Sequence, residues 1–378
     1  MNSSRQHHFV RRPHDEKDMS ACGIIGFINR DGSRVNGAPI RAAIANMRLR
    51  GNGLGGGFAA YGIYPERADA YALHLMYDDD NAAAETEQLL RSRLEIEHAE
   101  PIPVRPTKTV TDHPDFKRYF VHVKDAVATD PDEYMVRLVM EINAAIDGAY
   151  VVSSGKNMGA FKGVGFPEDL ADFFGLEDYA AYIWTAHNRF PTNTPGWWGG
   201  AHPFTILDWS IVHNGEISSY GTNRRYLESF GYHCTLQTDT EVVAYIFDLL
   251  VRRHGLSFEE AAMVMSPPLW SEIDRGGDMA ETARKLRMVY GAASLNGPFA
   301  FLFGFSGGLI GLNDRVKLRP LVVAEKDDTV FMSSEESAIR VISPDLDSLT
   351  YPVAGQPVIV RTYNTSPTNA VAQKEVAA

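Results

Sequence analysis

The sequence predicts an α+β layered fold, and three observations carry that reading. The run CGIIGFIN (Cys22–Asn29) has the length and apolar content of a buried strand and stops at the turn Asp31-Gly32-Ser33. Strand-like texture returns near the end of the chain at Phe299–Phe305, Leu321–Ala324 and Val330–Ser333. Between these ends lie several helical periodicities, without the strand–helix alternation of a βαβ fold. No repeat, low-complexity block or clean linker divides the 378 residues, so the chain reads as one elaborated domain.

The elements follow in order. Pro39–Leu49 is helical, because Ile40, Ile44 and Met47 share one face. Phe58–Tyr64 and Tyr71–Tyr77 read as strands around the turn-forming Pro65–Asp69, and Asp78–Asp80 closes the pair. Ala82–Ile96 has helical spacing, whereas the proline-rich Pro101–Thr111 is a connection. Asp132–Ala145 predicts a helix, AYVVSS a strand and Glu168–Phe174 a short helix. Ala181–Phe190 and Thr205–Val212 read as strands; Thr238–Arg252, Ser257–Met265 and Met279–Tyr290 read as helices. Residues 1–21 read as a disordered leader and 365–378 as a flexible tail.

Composition narrows the function. Lys+Arg 36 against Asp+Glu 48 gives a net charge of −12, which argues against a broad nucleic-acid-binding face. No apolar run approaches the ~20 residues that span a bilayer, so no membrane association is expected. Two cysteines are too few for a disulfide framework or a cysteine-rich metal centre, so no metal is expected and a reducing cytoplasm fits. The leader lacks the apolar core of an export signal.

GNGLGGG (Gly51–Gly57) contains G-x-G-x-x-G, but a helical segment precedes it and a strand follows. That is the reverse of a dinucleotide-binding context, so a loop needing close backbone approach is the better reading.

Four stretches can carry chemistry, each with a plainer structural explanation. Cys22 could be a small buried hydrophobe at the start of a core strand. In WTAHNRFPTNTPGWWGGAHPF, strand alternation puts Thr185, His187 and Arg189 on one face; Arg189 could form a structural ion pair or clamp a carboxylate. In IVHNGEI, Asn214-Gly215 reads as a tight hairpin turn. It also supplies two donors, the Asn214 amide and the Gly215 N–H, suited to an oxyanion hole. In QTDTEVVAYIF, Thr238 and Glu241 make a capping box, and Asp239 either serves the helix dipole or faces a cleft to pair with an ammonium group.

Together and in this order, CGIIGF, RGNGLGGGFAAYG, HNRFPTNT, AHPF, HNGEI, TDTE, DRVKLRP and SSEES resemble the class II glutamine amidotransferases, which are N-terminal-nucleophile (Ntn) hydrolases. The likeness is nearest to the glutaminase domain of glutamate synthase. It implies an αββα sandwich of two mainly antiparallel sheets between helical layers, a glutamine amidotransferase domain over 22–364, and a propeptide over 1–21. It also implies Cys22 as nucleophile, with its own α-amine as base once the Ala21–Cys22 bond is cut. An internal amide nitrogen could not take the proton, whereas a free amine of pKa ~7.7–8 could. By the same resemblance Arg189 holds the α-carboxylate of L-glutamine, Asp239 its α-ammonium, and Thr192 helps to position it. Asn214 and Gly215 stabilise the oxyanion. Arg50 supports the nucleophile end, and His187, His202 and His213 are supporting residues. Cys234 is expected to be structural.

No stretch reads as a flavin barrel or an iron–sulfur cysteine set, so no cofactor is expected in this chain. FMN and iron–sulfur clusters would belong to a separate, ammonia-accepting synthase subunit. Residues 78–150 carry none of the shared motifs and read as a candidate insertion. Two alternatives stand beside this reading. One is a conventional cysteine hydrolase in which a histidine activates Cys22; the other is a non-catalytic glutamine-sensing regulatory subunit.

Overall fold

The computed structural model describes residues 21–124, 129–191 and 196–364. Two antiparallel sheets stack face to face. The seven-stranded sheet runs in the order Ser348–Thr350, Val322–Lys326, Thr329–Ser333, Gly23–Asn29, Ile183–Asn188, Gly56–Tyr61 and Met158–Gly163. The five-stranded sheet runs Phe204–Ile206, Trp209–Gly215, Phe299–Phe305, Gly308–Asn313 and Val358–Arg361.

Strand alternation explains the layering. Ile24 and Ile28 of the first strand join Ile183, Val212, Ala300, Leu302 and Leu309 in an apolar layer between the sheets. Ile25 and Phe27 point the other way, with Phe58 and Trp184. They pack under the helices Ala38–Asn46, Pro167–Phe173 and Glu336–Ile342 through Ile40, Ile44, Leu170 and Ile339. On the second sheet Phe299, Phe301 and Phe303 lie under the helices Asp239–Phe247 and Phe258–Met265. The expected αββα sandwich is therefore present. It also explains why CGIIGFIN is apolar at nearly every position: a strand covered on both faces has no solvent side to mark with polar residues.

A third antiparallel sheet, ordered Leu94–Pro101, Asp115–Val123, Tyr71–Tyr77 and Ala149–Ser153, carries the helices Asp80–Arg93 and Pro131–Ala145. It holds the motif-free 78–150 stretch. Leu73, Leu75, Met135 and Ile142 share one apolar cluster with Phe299 and Val243, so this sheet packs onto the core of the sandwich.

Several expectations need correction. The helix expected to Ile96 ends at Arg93, because Ile96 pairs with Val121 in a strand. Thr205–Val212 is two strands joined at Leu207-Asp208, with Leu207 at φ 49°. Asn214-Gly215 is not a hairpin turn: both residues are ladder positions, opposite Ala300 and Phe299. Only half of the Thr238 capping box forms. Thr238 Oγ1 accepts the Glu241 N–H at 3.1 Å, while the Glu241 carboxylate accepts from the Thr235 and Leu236 N–H groups. The helix then continues from Asp248 to Arg253 in π-helical form.

The glycine loop behaves as a close-approach device. A Cβ on Gly51 would lie 1.8 Å from Asn188 Oδ1. Asn188 is fully buried, and its amide donates to the Met47 carbonyl at 2.9 Å and the Arg48 carbonyl at 3.2 Å. Gly51→Ala should therefore destabilise the protein by about 1–3 kcal/mol in denaturant titration. Gly291→Ala, which enters open space, should stay within about 0.5 kcal/mol of wild type.

Candidate active site

The first strand and its neighbours bring Cys22, Arg50, Arg189, Asn214 and Asp239 to one end of the sandwich. Gly23 pairs with Asn188, so one step further Cys22 and Arg189 face each other across the ladder. Cys22 shares the inward face of Ile24. Its Sγ accepts the Phe190 N–H at 3.3 Å. Burial pushes the thiol up, opposed by that N–H and by the Arg189 charge, while Asp239 adds to the rise. The thiol therefore needs a base to become a nucleophile.

Arg189 is buried. Burial lowers its pKa, opposed by the charges of Cys22 and Asp239, so the three groups share one electrostatic neighbourhood. Arg50 donates through Nε to the Cys22 carbonyl at 2.9 Å and pairs through Nη1 with Glu335 at 2.6 Å. This fixes the main chain at the thiol.

Asn214 is the penultimate residue of the strand Trp209–Gly215, fully buried and on the inward face. Its Nδ2 donates to Ser334 Oγ at 3.0 Å, and its Oδ1 has no hydrogen-bond partner among the described residues. Gly215 follows at φ 137°, and a Cβ there would lie 1.9 Å from the Pro298 carbonyl oxygen. The glycine is what allows the chain to turn out of the ladder at this point.

Asp239 opens the helix Asp239–Phe247, and its side chain is 20% exposed. Its Oδ2 accepts the Ile217 N–H at 2.9 Å and its Oδ1 the Thr240 hydroxyl at 3.1 Å. Thr192 lies outside the described residues.

The three histidines form a buried column rather than a base beside the thiol. His187 stacks on His202 at 3.9 Å, and His202 is nearly parallel to His213 at 6.3 Å. His187 Nε2 contacts the His213 carbonyl, His202 Nδ1 accepts the His213 N–H, and Thr240 Oγ1 meets both His202 Nε2 and His213 Nδ1. Burial pushes all three below the ordinary imidazole range. Among the described residues no imidazole nitrogen is hydrogen-bonded to Cys22, and neutral rings cannot form a thiolate–imidazolium pair. This weighs against the conventional cysteine-hydrolase alternative. Cys234 is buried, well inside the cluster of the outer helices.

Sequence reasoning missed four residues here. Ser334 takes both the Asn214 amide and the Ile24 N–H, and its own N–H donates to the Ile24 carbonyl at 2.9 Å. Glu335 anchors Arg50. The shared motif SSEES contains both, but nothing in it indicated which strands they join. Thr240 was passed over inside TDTE. Lys162 lies in the register row Ile24–His187–Gly57–Lys162, buried, with Nζ donating to the Gly199 carbonyl at 3.0 Å. Burial lowers its pKa to about 7. MGAFKG gives no hint that its lysine points inward.

The family model for class-II glutamine amidotransferases matches residues 79–349, most of the chain. The chain belongs to the class-II glutamine amidotransferases. The matched range includes Arg189, Asn214 and Asp239 and begins after Cys22. An uncharacterized protein of Archaeoglobus fulgidus is 54% identical over 92% of this chain and 93% of its own length. A Methanothermobacter thermautotrophicus protein, provisionally named a glutamine amidotransferase, is 25% identical over 85% of this chain and 93% of its own. Among solved structures, the glutamine phosphoribosylpyrophosphate amidotransferase from B. subtilis is similar at 15% identity and a TM-score of 0.46, over 90% of this chain and 47% of that one. The chain thus spans about half of that enzyme. Among the described residues no helix is long and apolar enough to cross a membrane.

For this amidotransferase the Ser334 contacts carry a consequence. Ser334→Ala removes the acceptor of the buried Asn214 amide and should lower glutamine turnover about 10- to 100-fold in a steady-state glutaminase assay. Ser334→Thr, which keeps the hydroxyl, should recover most of that loss.

Proposed function

We propose that the protein hydrolyses L-glutamine to glutamate and ammonia through a thioester on Cys22, with the α-amine of a processed Cys22 as base, and delivers the ammonia to a separate synthase subunit. The observation that carries this reading is the convergence of the Cys22 thiol, Arg189, Asn214 and Asp239 at one end of the sandwich. The thiol is held protonated, and among the described residues no imidazole is bonded to it.

The free amine takes the Sγ proton, and the thiolate attacks the γ-carboxamide carbon. Charge develops on the former carbonyl oxygen, where the Asn214 amide and the Gly215 N–H are the donors. The ammonium proton passes to the leaving nitrogen as the C–N bond breaks, releasing ammonia. Water, deprotonated by the same amine, then cleaves the γ-glutamyl thioester and returns the thiol. Arg189 takes the substrate's α-carboxylate in two parallel hydrogen bonds and Asp239 its α-ammonium. The partner, flavin- and iron–sulfur-bearing in the glutamate synthase-like reading, would consume the ammonia on a 2-oxoacid. A reducing cytoplasm suits a free thiol nucleophile.

Intact-mass measurement of the purified protein should find a chain beginning at Cys22. Its kcat/KM for glutamine should rise with pH through ~7–8 as the amine loses its proton, and fall on the acid side, where the protonated amine cannot accept one. A chain that retains Ala21 and still hydrolyses glutamine would remove the amine from the mechanism.

A further inference from the structure

Thr240 is fully buried, and its Oγ1 has three polar neighbours: Asp239 Oδ1 at 3.1 Å, His213 Nδ1 at 3.1 Å and His202 Nε2 at 3.3 Å. A hydroxyl has one proton and two lone pairs, which makes this arrangement solvable. The carboxylate can only accept, so the hydroxyl proton goes to Asp239. Were it aimed at a histidine instead, two oxygen acceptors would meet at 3.1 Å with no proton between them. Both imidazoles must then donate to Oγ1.

The remaining contacts agree independently. His202 Nδ1 accepts the His213 main-chain N–H at 3.3 Å, so its ring proton is already required at Nε2. His213 carries its proton at Nδ1, leaving Nε2 a bare lone pair, and that atom has no hydrogen-bond partner among the described residues. His187 donates from Nε2 to the His213 carbonyl at 2.9 Å, leaving Nδ1 bare, and Nδ1 is likewise unpartnered there. One proton assignment accounts for every contact in the column.

The consequence reaches Asp239. With Ile217 N–H on Oδ2 and Thr240 on Oδ1, each carboxylate oxygen has one fixed donor and a lone pair to spare. His213 Nδ1 stands 3.9 Å from Oδ1. As a neutral donor engaged with Thr240, it does not compete for the aspartate's charge. An imidazolium at that distance would.

We propose that Thr240 is the positioning residue of the ammonium site: its hydroxyl orients Asp239 and locks His202 and His213 into complementary tautomers, so that the α-ammonium of the substrate meets a pinned carboxylate. This rests on the reading of Asp239 as the ammonium ligand. It adds that the neighbouring hydroxyl, and not the aspartate alone, sets glutamine affinity.

Three variants of the full-length protein separate the two claims. Asp239→Asn should raise KM for glutamine strongly; if it does not, the ammonium-site reading itself fails. Thr240→Val should raise KM about 10- to 100-fold with kcat changed less than about threefold, and Thr240→Ser should return KM to within about threefold of wild type. An unchanged KM in a folded Thr240→Val protein, with Asp239→Asn impaired, would overturn the role of Thr240 alone. Long-range ¹H–¹⁵N NMR of histidine-labelled wild-type protein tests the proton assignment without any variant at Thr240. It should find His213 protonated at Nδ1 and His202 at Nε2; His213 protonated at Nε2 would overturn the proposal.

Discussion

The register of one strand governs the site. Gly23–Asn29 lies between Ile183–Asn188 and Thr329–Ser333, with Gly23 opposite Asn188 and Ile25 opposite Ser333. Because side chains alternate with a period of two, a slip of one residue would turn Cys22 toward the helical layer that receives Ile25 and Phe27. Ser334 guards this register from one side, bonding both the N–H and the carbonyl of Ile24. Arg50 guards it at the end by holding the Cys22 carbonyl. Arg189, Phe190 and the thiol then meet without any long loop having to be ordered.

The second sheet contributes the rest through the end of its strand Trp209–Gly215. Val212 and Asn214 point inward, Val212 into the apolar layer between the sheets and Asn214 to Ser334, while His213 reaches outward to Thr240. One short strand thus serves both the donors at the thiol and the histidine column behind Asp239. Burial disfavours the charged form in both sets of groups. It keeps the imidazoles neutral, and it keeps the thiol protonated, which creates the need for a base.

Much of this was legible in the sequence, and the exceptions have physical causes. Apolar runs such as Cys22–Asn29 and Phe299–Phe305 announce themselves because both faces of the strand are covered. Leu94–Pro101 was missed because Leu90 and Leu94 keep helical spacing across the junction, although Leu94-Glu95-Ile96-Glu97 alternates apolar and charged residues as a half-buried strand does. Met158–Gly163 was hidden by two glycines and a lysine, residues that seldom mark a buried strand, although Lys162 points inward here. Asn214-Gly215 carries a strong local turn signal, yet long-range pairing with Ala300 and Phe299 overrides it. Ser334 and Thr240 were beyond reach because their roles depend on partners far away in sequence, Asn214 and His202.

In the proposed reaction one thiol at a strand end, freed at its own nitrogen, does the chemistry. Treating the purified protein with a diazoketone analogue of glutamine and mapping the labelled peptide by mass spectrometry tests it most directly. A single adduct is expected on Cys22, in a peptide that begins with that residue and carries a free α-amine. An adduct on Cys234, or on a Cys22 still joined to Ala21, would contradict it.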